Sequence, residues 1–394
     1  MDMTSLPAVE TDVTENLERD NTLESFNKVS YIDLTRQNTQ YKYEIKLAIN
    51  RVLESGIYTS GPETEGFESE FAALLRVPHC IGVSSGSEAI EIGLKALGVK
   101  EGDGVLTVAN AGMHSTSAIR DIGAIPQFVE IDPLTLTMSP EGLANAITPQ
   151  SRVVIVTHLH GRVADINALQ GIADQHDLPL VEDCFQANGA SLDGKNVGTW
   201  GVIGCFCFSP TKNLGTLGEA GGIITHDRKI AEKAREIRRD GSSLDQNSYD
   251  ILGKSSLMNE IQAAVLRAKL PMLEEWNLRR RMIAQTYNIH LESSNSKLHS
   301  DYPSDGSVFQ LFVVRTSQRD LVQDHLKRKG IGSAVHFPIP DHLQTVGLNS
   351  SYPRVRLPET EKACAEVLSL PCYPELSSWE VEQVCAAVNE IMDI

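Results

Sequence analysis

Residues 151–183 decide the fold; they read SRVVIVTHLHGRVADINALQGIADQHDLPLVED. Two runs in this segment, 152–157 and 179–183, are apolar at consecutive positions rather than at every second one, which indicates strands buried on both faces. Between them, Asp165 precedes a stretch whose apolar residues recur at helical spacing, and its side chain is suited to cap a helix there. Two such strands joined by a helix predict a parallel sheet that helices cover on both sides.

The same alternation of strand and helix is found before this unit. We predict strands over 80–84, 105–108 and 127–131 and helices over 87–97, 115–122 and 140–147. After residue 183 the pattern changes, and two closely spaced strands over 203–208 and 222–225 are predicted at the edge of the sheet. Together these elements predict an α/β fold with a mostly parallel central sheet.

The C-terminal third has a different organisation. A long helical zone over 258–291 is predicted to connect it with the sheet, followed by strands near 308–315 and 333–337 and a helix from Trp379. We therefore predict a large α/β domain over residues 29–270 and a smaller α+β domain, with its connector helix, over residues 271–394. Residues 1–28 carry seven acids against two basic residues and are predicted to form a disordered acidic tail.

Composition and charge exclude several classes of protein. The formal net charge of −17 over 394 residues disfavours nucleic acid and anionic membranes as partners, because both would be repelled at long range. No apolar run reaches the roughly 20 residues that a membrane helix needs, and the start of the chain lacks the features of a signal peptide. Seven cysteines without a C-x-x-C pair favour a reduced, cytoplasmic protein.

Three segments that follow predicted strands carry the candidate chemistry. Ser85, Gly86 and Ser87 join a strand to the start of a helix, where free N–H groups and the helix dipole favour a phosphate. Asp183 ends an apolar strand, and Lys212 follows the next predicted strand along the chain. Because ligands of an open parallel sheet lie beyond the carboxyl ends of its strands, we expect all three segments at one site.

A lysine, a carboxylate and a phosphate cradle together suit pyridoxal 5′-phosphate (PLP). The lysine amine forms a Schiff base with the cofactor, and an anion near the pyridine nitrogen keeps that nitrogen protonated. The protonated ring accepts electrons when a substrate carbon loses its proton, and the freed lysine moves that proton as general base and acid. Taken singly, each segment also has an ordinary structural explanation: a capped turn, a solvated loop acid and a surface lysine.

At these residues the sequence resembles the sugar aminotransferases of the DegT/DnrJ/EryC1/StrS family, which belong to fold type I of the PLP-dependent transferases. The resemblance runs from about Ile32 to the C-terminus. It rests on motifs in the family's order and spacing: YTSGP at 58–62, VSSGS at 83–87, EDCFQA at 182–187, TKNLG at 211–215, EIQAA at 260–264, PDHLQ at 340–344 and SLPCYP at 369–374.

The resemblance implies a role for each matching residue. Lys212 corresponds to the Schiff-base lysine, Asp183 to the partner of the pyridine nitrogen, and Gln186 to the residue packed by the ring and its hydroxyl. Gly86 and Ser87 correspond to the phosphate-binding turn. Members of the family usually take glutamate as amino donor and a nucleotide-linked keto-sugar as acceptor, in amino-sugar or secondary-metabolite biosynthesis. They work as homodimers with active sites at the subunit interface.

Several positions depart from the family's pattern. Cys207 stands where a serine usually binds the phosphate, and Ser209 is close enough in sequence to compensate. The aromatic residue that stacks on the ring is replaced by Met113, with His114 beside it. The family's G-x-N-x-R stretch reads GKSSL, which puts Ser255 in the place of an asparagine that reaches the neighbouring subunit's phosphate. These departures bear on cofactor affinity and on the identity of the acceptor.

Two alternatives stay open for the function. A PLP enzyme of this kind can aminate a keto-cyclitol or another non-nucleotide ketone, and a PLP-binding protein without turnover can act as a regulator or partner subunit. A metal site is not predicted: His158 and His160 alternate along a strand end, but no carboxylate or cysteine completes a ligand set. We expect Cys205 to be buried packing and residues 279–281, three arginines, to form a solvated turn of the connector helix.

Overall fold

A computed structural model of the chain describes residues 28–243, 248–249, 251–292, 306–345 and 355–392. Apart from Lys28, the predicted acidic tail over residues 1–28 lies outside this part of the chain. Three helices come first: α1 (Leu34–Gln40), α2 (Lys42–Ser55) and α3 (Pro62–Leu75). Within the described ranges, no helix combines the length and the apolar character needed to cross a membrane.

The central sheet and its helices follow as short alternating elements. In chain order they are β1 (His79–Val83), α4 (Gly86–Leu97), β2 (Gly104–Val108), α5 (His114–Asp121), β3 (Ile125–Val129), α6 (Pro140–Ala146), β4 (Ser151–Thr157), α7 (Ile166–Gln175), β5 (Leu180–Asp183), the short hairpin β6 (Ser191–Leu192) and β7 (Lys195–Asn196), β8 (Ile203–Cys207), β9 (Gly221–Thr225) and α8 (Arg228–Ile237). Every residue of β2, β5, β8 and β9 is buried, which explains why these strands lack polar alternation. As predicted, the Asp165 carboxylate caps α7 by accepting from the N–H of Ala168.

The sheet has seven strands in the order β1-β9-β8-β5-β4-β2-β3. Strand β9 is antiparallel to both neighbours, and the other pairs are parallel, which confirms the predicted mostly parallel α/β sheet. The prediction that 203–208 and 222–225 lie at the sheet edge was wrong, because β1 pairs outside β9. Short spacing along the chain indicates that two strands are neighbours. It does not reveal that a strand from much earlier in the sequence, here β1, pairs with the outer edge of β9.

The direction of the strands places three predicted site segments together. Strands β1 and β8 are both antiparallel to β9, so they run the same way, and β5 is parallel to β8. Their carboxyl ends therefore meet at one edge of the sheet. Ser85 follows β1 there, Asp183 ends β5, and Cys207 ends β8, two residues before Ser209.

The C-terminal part of the chain has its own core. Its elements are α9 (Glu260–Lys269), a 3-10 turn (Leu270–Met272), α10 (Leu273–Glu292), β10 (Phe312–Arg315), α11 (Arg319–Arg328), α12 (Pro358–Glu366), β11 (Val367–Leu370) and α13 (Ser378–Met392). The predicted connector over 258–291 is thus two helices separated at Pro271. A hydrophobic cluster that includes Tyr287, Phe312 and Leu368 joins α10, α11 and α13 to the pair β10–β11. A separate core of this kind supports the predicted boundary between the large and the small domain at residues 270 and 271. The boundary itself stays a prediction.

One predicted strand of this part does not form. Residues 333–337 are a loop, in which Ala334 makes an isolated bridge to Ser369. Phe337 has a φ of 63°, which takes the backbone out of the extended region. Strand β10 pairs with β11 instead.

Arg280 corrects another prediction, because it is only 4% exposed and not part of a solvated turn. Its guanidinium donates to the carbonyl oxygens of Phe309, Gln310 and Cys372. Consecutive residues of a helix point to different faces, and Arg280 lies on the face of α10 that packs inward. This arginine ties α10 to the chain around β10 and β11.

Candidate active site

Lys212 lies in the loop between β8 and β9, beyond the carboxyl end of β8, and α9 holds this loop in place. The Gln262 Oε1 atom accepts from Thr216 Oγ1 at 2.6 Å. The buried ammonium of Lys269 donates to the carbonyl of Gly215 at 2.9 Å. Burial lowers the pKa of Lys269 to about 8. Both helix residues fix the backbone a few positions after Lys212.

The other side of the lysine loop is attached to the C-terminal part of the chain. The Asn213 amide donates to Asn277 Oδ1 at 2.7 Å and to the carbonyl of Val308 at 3.0 Å. Gln310 donates to the carbonyl of Thr211 at 3.3 Å. Sequence reasoning did not assign these anchors, although two of the motifs contain anchoring residues: EIQAA contains Gln262 and TKNLG contains Asn213.

Asp183 ends β5 and is 2% exposed. Its Oδ1 atom accepts from the N–H of Phe185 at 3.1 Å, and Oδ2 accepts from the hydroxyls of Thr157 at 3.1 Å and Ser115 at 3.3 Å. Burial raises the pKa of Asp183, while the hydrogen bonds from Phe185 and Thr157 and the charges of His114 and Lys212 oppose that shift. A cation held against this carboxylate would offset the cost of its burial.

The small-residue turn after β1 opens α4 as predicted. The Ser85 hydroxyl accepts from the N–H of Glu88 at 3.3 Å, so this side chain caps the helix. A Cβ atom on Gly86 would lie 2.7 Å from the Cβ of Cys207, so glycine is what lets the turn approach β8 this closely. The Cys207 thiol donates to Ser209 Oγ at 3.5 Å. The free N–H groups at the start of α4 therefore open beside Cys207 and Ser209.

His114 presents an aromatic ring at the site. Its Nδ1 lies 3.4 Å from Ser87 Oγ, and the ring packs edge-on against Phe185 with centroids 5.9 Å apart. The side chain is open to solvent at the cleft, yet the surrounding protein desolvates the imidazole enough to lower the pKa of His114. The charge of Lys212 acts in the same direction and that of Asp183 in the opposite one. Of the two predicted stacking positions, His114 is the aromatic one.

Gln186 joins the turns that follow β4 and β5. It is 8% exposed, and its Oε1 accepts from the N–H of His160 at 2.5 Å. Burial lowers the pKa of His160 to about 3, and burial together with the charge of Lys212 lowers that of His336 to about 4. Both imidazoles are neutral at pH 7 and add no positive charge beside Lys212. His336 was not predicted; it comes from the loop 333–337, whose placement depends on long-range packing.

Ser255 shows no side-chain contact with the turn at Gly86 among the described residues. It is exposed, and its backbone bridges to Arg239. The neighbouring Ser256 is buried instead and donates to a Glu88 carboxylate oxygen at 2.5 Å. Within the described ranges of one chain, Ser255 is therefore an exposed residue without a side-chain link to the other predicted site residues.

A second polar cluster, formed by His158, Glu182 and Cys184, lies buried nearby. Their ligand atoms lie within 4.8 Å of one another, so the fold supplies the carboxylate and thiol that the sequence did not place beside His158. Glu182 accepts from His158 Nε2 at 2.9 Å and from three backbone N–H groups in residues 198–201. His158 Nδ1 accepts from the N–H of Ala164. This is a satisfied hydrogen-bond network that holds the 198–201 loop, and we assign no metal to it.

The residues at the carboxyl edge of the sheet fit PLP. Lys212 offers a primary amine, Asp183 a buried carboxyl group, and the amino end of α4 beside Gly86 free N–H groups suited to an anion. Fold and site together define a PLP-dependent transferase of fold type I.

The chain belongs to the DegT/DnrJ/EryC1/StrS aminotransferase family, whose model matches residues 39–389. The dTDP-3-amino-3,4,6-trideoxy-alpha-D-glucose transaminase of Streptomyces venezuelae is 38% identical over 364 residues, covering 92% of this chain and 96% of that protein. The erythromycin biosynthesis sensory transduction protein EryC1 of Saccharopolyspora erythraea is 39% identical over 362 residues, covering 92% and 99%. The crystal structure of S. venezuelae DesV in complex with a ketimine intermediate matches with a TM-score of 0.90 at 38% identity, covering 93% and 99% of the two chains. The prediction of a PLP-dependent aminotransferase is confirmed.

Proposed function

We propose that this aminotransferase takes its amino group from glutamate and delivers it to the ketone of a nucleotide-linked sugar. The similarity to a transaminase named for a dTDP-linked amino sugar supports the acceptor class. The observation that carries the chemistry is the meeting of Lys212 and Asp183 beside the start of α4. When bound there, PLP supplies an electron sink for the bond electrons released at the substrate carbon.

Lys212 is proposed to attach the cofactor and to move the proton. With PLP bound, the Lys212 amine would hold it covalently in the resting protein. Once a substrate amine has taken that place, the freed Lys212 amine would act as the general base and acid for the proton that leaves the substrate carbon. The anchors at Thr211 before it and at Asn213 and Gly215 after it keep the backbone in place while its side chain changes partner.

Asp183 is proposed to hold a proton on the pyridine nitrogen. The Ser115 and Thr157 hydroxyls and the N–H of Phe185 fix the orientation of its carboxylate. Burial disfavours the unpaired Asp183 carboxylate anion. A cationic ring nitrogen beside it would stabilise that anion, so the two groups suit each other as partners.

The remaining predicted residues are proposed to enclose the cofactor. His114, with Met113 at the preceding position, covers one face of the ring, and Gln186 lies by the ring and its hydroxyl. The phosphate is placed at the start of α4, among Ser85, Gly86 and Ser87, with Cys207 and Ser209 opposite.

We also propose a cytoplasmic homodimer in which Ser255 of one subunit reaches the cofactor phosphate of the other. Exposed apolar side chains, Tyr43, Leu47 and Tyr58, lie on α2 and the segment after it. This segment bridges to Asn259, close to Ser255 in the chain. All seven cysteines are free thiols and buried, which suits a reducing compartment. Sedimentation of a fully active monomer would count against the dimer.

A two-step spectroscopic experiment tests the proposed reaction. L-glutamate should bleach the visible absorbance of the PLP form, and the resulting amino form should regain that absorbance with dTDP- or UDP-linked keto-sugars. The Lys212→Ala protein is the control and should show neither change. Recovery with a free keto-cyclitol alone would contradict the acceptor class, and bleaching by another amino acid but not glutamate would contradict the donor. A protein that holds PLP but responds to no amino donor would be a binder without turnover.

A further inference from the structure

The loop that precedes α5 packs against, and is hydrogen-bonded to, a segment from the C-terminal part of the chain. A Cβ atom on Gly112 would lie 2.1 Å from the ring of Phe337, so this ring packs against the backbone at a position where only glycine leaves room for it. Four residues after Phe337, the N–H of Asp341 donates to the carbonyl of Ala109 at 2.7 Å. Two separate contacts therefore join segments that are more than two hundred residues apart.

This loop has a strained backbone where it enters α5. Gly112 and Met113 both have positive φ values, 85° and 66°. Left-handed backbone is ordinary for glycine but unfavourable for a residue with a side chain, such as methionine. Met113 is also the N-cap of α5 and provides no side-chain cap for the helix. Such a conformation persists only where the surroundings impose it.

The Asp341 carboxylate is what imposes this conformation. Its Oδ1 accepts from the N–H of Met113 at 3.1 Å, and its Oδ2 accepts from Thr116 Oγ1 at 2.5 Å. Asp341 is 2% exposed, so both bonds form away from water. The carboxylate thus bridges the N–H of the N-cap residue and the side chain of Thr116 in the first turn of α5.

We propose that Asp341 is a positioning residue of the active site: it holds the left-handed turn at Met113 so that the next two residues, His114 and Ser115, meet the cofactor and Asp183. The inference rests on the proposed function of this site. His114 contacts Ser87 and Phe185, and Ser115 donates to Asp183 Oδ2. Both residues lie in the first turn of α5, so their positions depend on how that helix begins.

Variants of Asp341 separate positioning from simple stabilisation. Asp341→Ala removes both acceptors, whereas Asp341→Asn keeps an oxygen for the N–H of Met113. Asp227→Ala is the matched control, because Asp227 caps α8 by accepting from two backbone N–H groups at the protein surface. For each protein, hydrogen–deuterium exchange over residues 109–118 is measured without cofactor. PLP affinity is measured by equilibrium dialysis. The protein environment of the bound cofactor is measured by its visible circular dichroism.

We expect Asp341→Ala to exchange at least tenfold faster over residues 109–118, to bind PLP about tenfold more weakly and to change the visible dichroism. Asp341→Asn should lie closer to the wild type, and Asp227→Ala should lose thermal stability with none of these changes. Asp341→Ala with lost protection but unchanged PLP affinity and dichroism would overturn the inference. If that variant does not fold, Thr116→Val, which removes one of the two bonds, must show the same changes at reduced size; wild-type values would again overturn it. A wild-type protein that does not bind PLP at Lys212 would instead refute the proposed function.

Discussion

Replacing Asp183 by asparagine removes the buried charge of the site and keeps its shape. The amide oxygen still accepts from the N–H of Phe185, and the two amide hydrogens meet the oxygens of Thr157 and Ser115, whose hydroxyls act as acceptors as well as donors. Because burial disfavours the Asp183 carboxylate in the free protein, we expect the cofactor-free variant to be at least as stable as the wild type at pH 7.

The same change should cripple catalysis. A neutral amide cannot hold a proton on the pyridine nitrogen, and the lost charge-assisted hydrogen bond alone is worth about 1.5–3 kcal/mol. That corresponds to a loss of about tenfold to a hundredfold as the lower bound on the rate effect. Stability and rate are therefore expected to move in opposite directions.

The assay pairs chemical denaturation of cofactor-free protein with stopped-flow measurement of the glutamate half-reaction at saturating PLP. Glu182→Gln is the matched control, because Glu182 precedes Asp183 on β5 but accepts from His158 and the 198–201 loop. This control should lose about 1–3 kcal/mol of unfolding free energy and keep its half-reaction rate. A rate within threefold of wild type for Asp183→Asn would refute the assigned role, as would a marked loss of stability.

Three further substitutions test other parts of the account. Cys207→Ser should tighten PLP binding about tenfold by replacing a weak thiol donor with a hydroxyl; equal or weaker binding in equilibrium dialysis would show that Ser209 and other residues complete the phosphate site. Lys269→Met should lower the unfolding free energy by about 1–3 kcal/mol in urea, because it leaves the Gly215 carbonyl and other buried acceptors without a donor. Asp341→Asn should flatten the pH dependence of stability. Burial raises the pKa of Asp341 to about 6 from its usual 3.8, so this group's contribution is present below pH 3.8 and is lost as the pH rises through 6. Relative to wild type, the variant should gain about 1 kcal/mol between pH 5 and pH 7; a difference that does not change with pH would contradict it.

The sheet and the location of the candidate site residues at one of its edges could be predicted from the sequence because both are encoded locally. Buried parallel strands are short, continuous apolar runs, and the glycine or capping residue that ends each element lies within a few positions of it. Lys212, Asp183 and the turn at Gly86 each follow such a run, so their common edge follows from the strand direction alone.

The residues that hold the site in place could not be predicted, because their partners are distant in the sequence. Thr116 and Asp341 are separated by 225 positions, and Gly215 and Lys269 by 54. No periodicity links such pairs, since each depends on how whole elements pack. The same limit explains why β1 was not predicted to lie outside β9, and why Arg280 was expected in solvent.

The central claim, that Lys212 carries the cofactor, is tested most directly by reducing the PLP-loaded protein with borohydride and mapping its peptides. Reduction makes the covalent bond permanent, so the pyridoxyl mass should be found on the peptide that contains Lys212 and on no other. The Lys212→Ala protein, folded and treated in the same way, should carry no label. A label on Lys195, Lys254 or Lys269, or an unlabelled wild-type protein, would contradict the account.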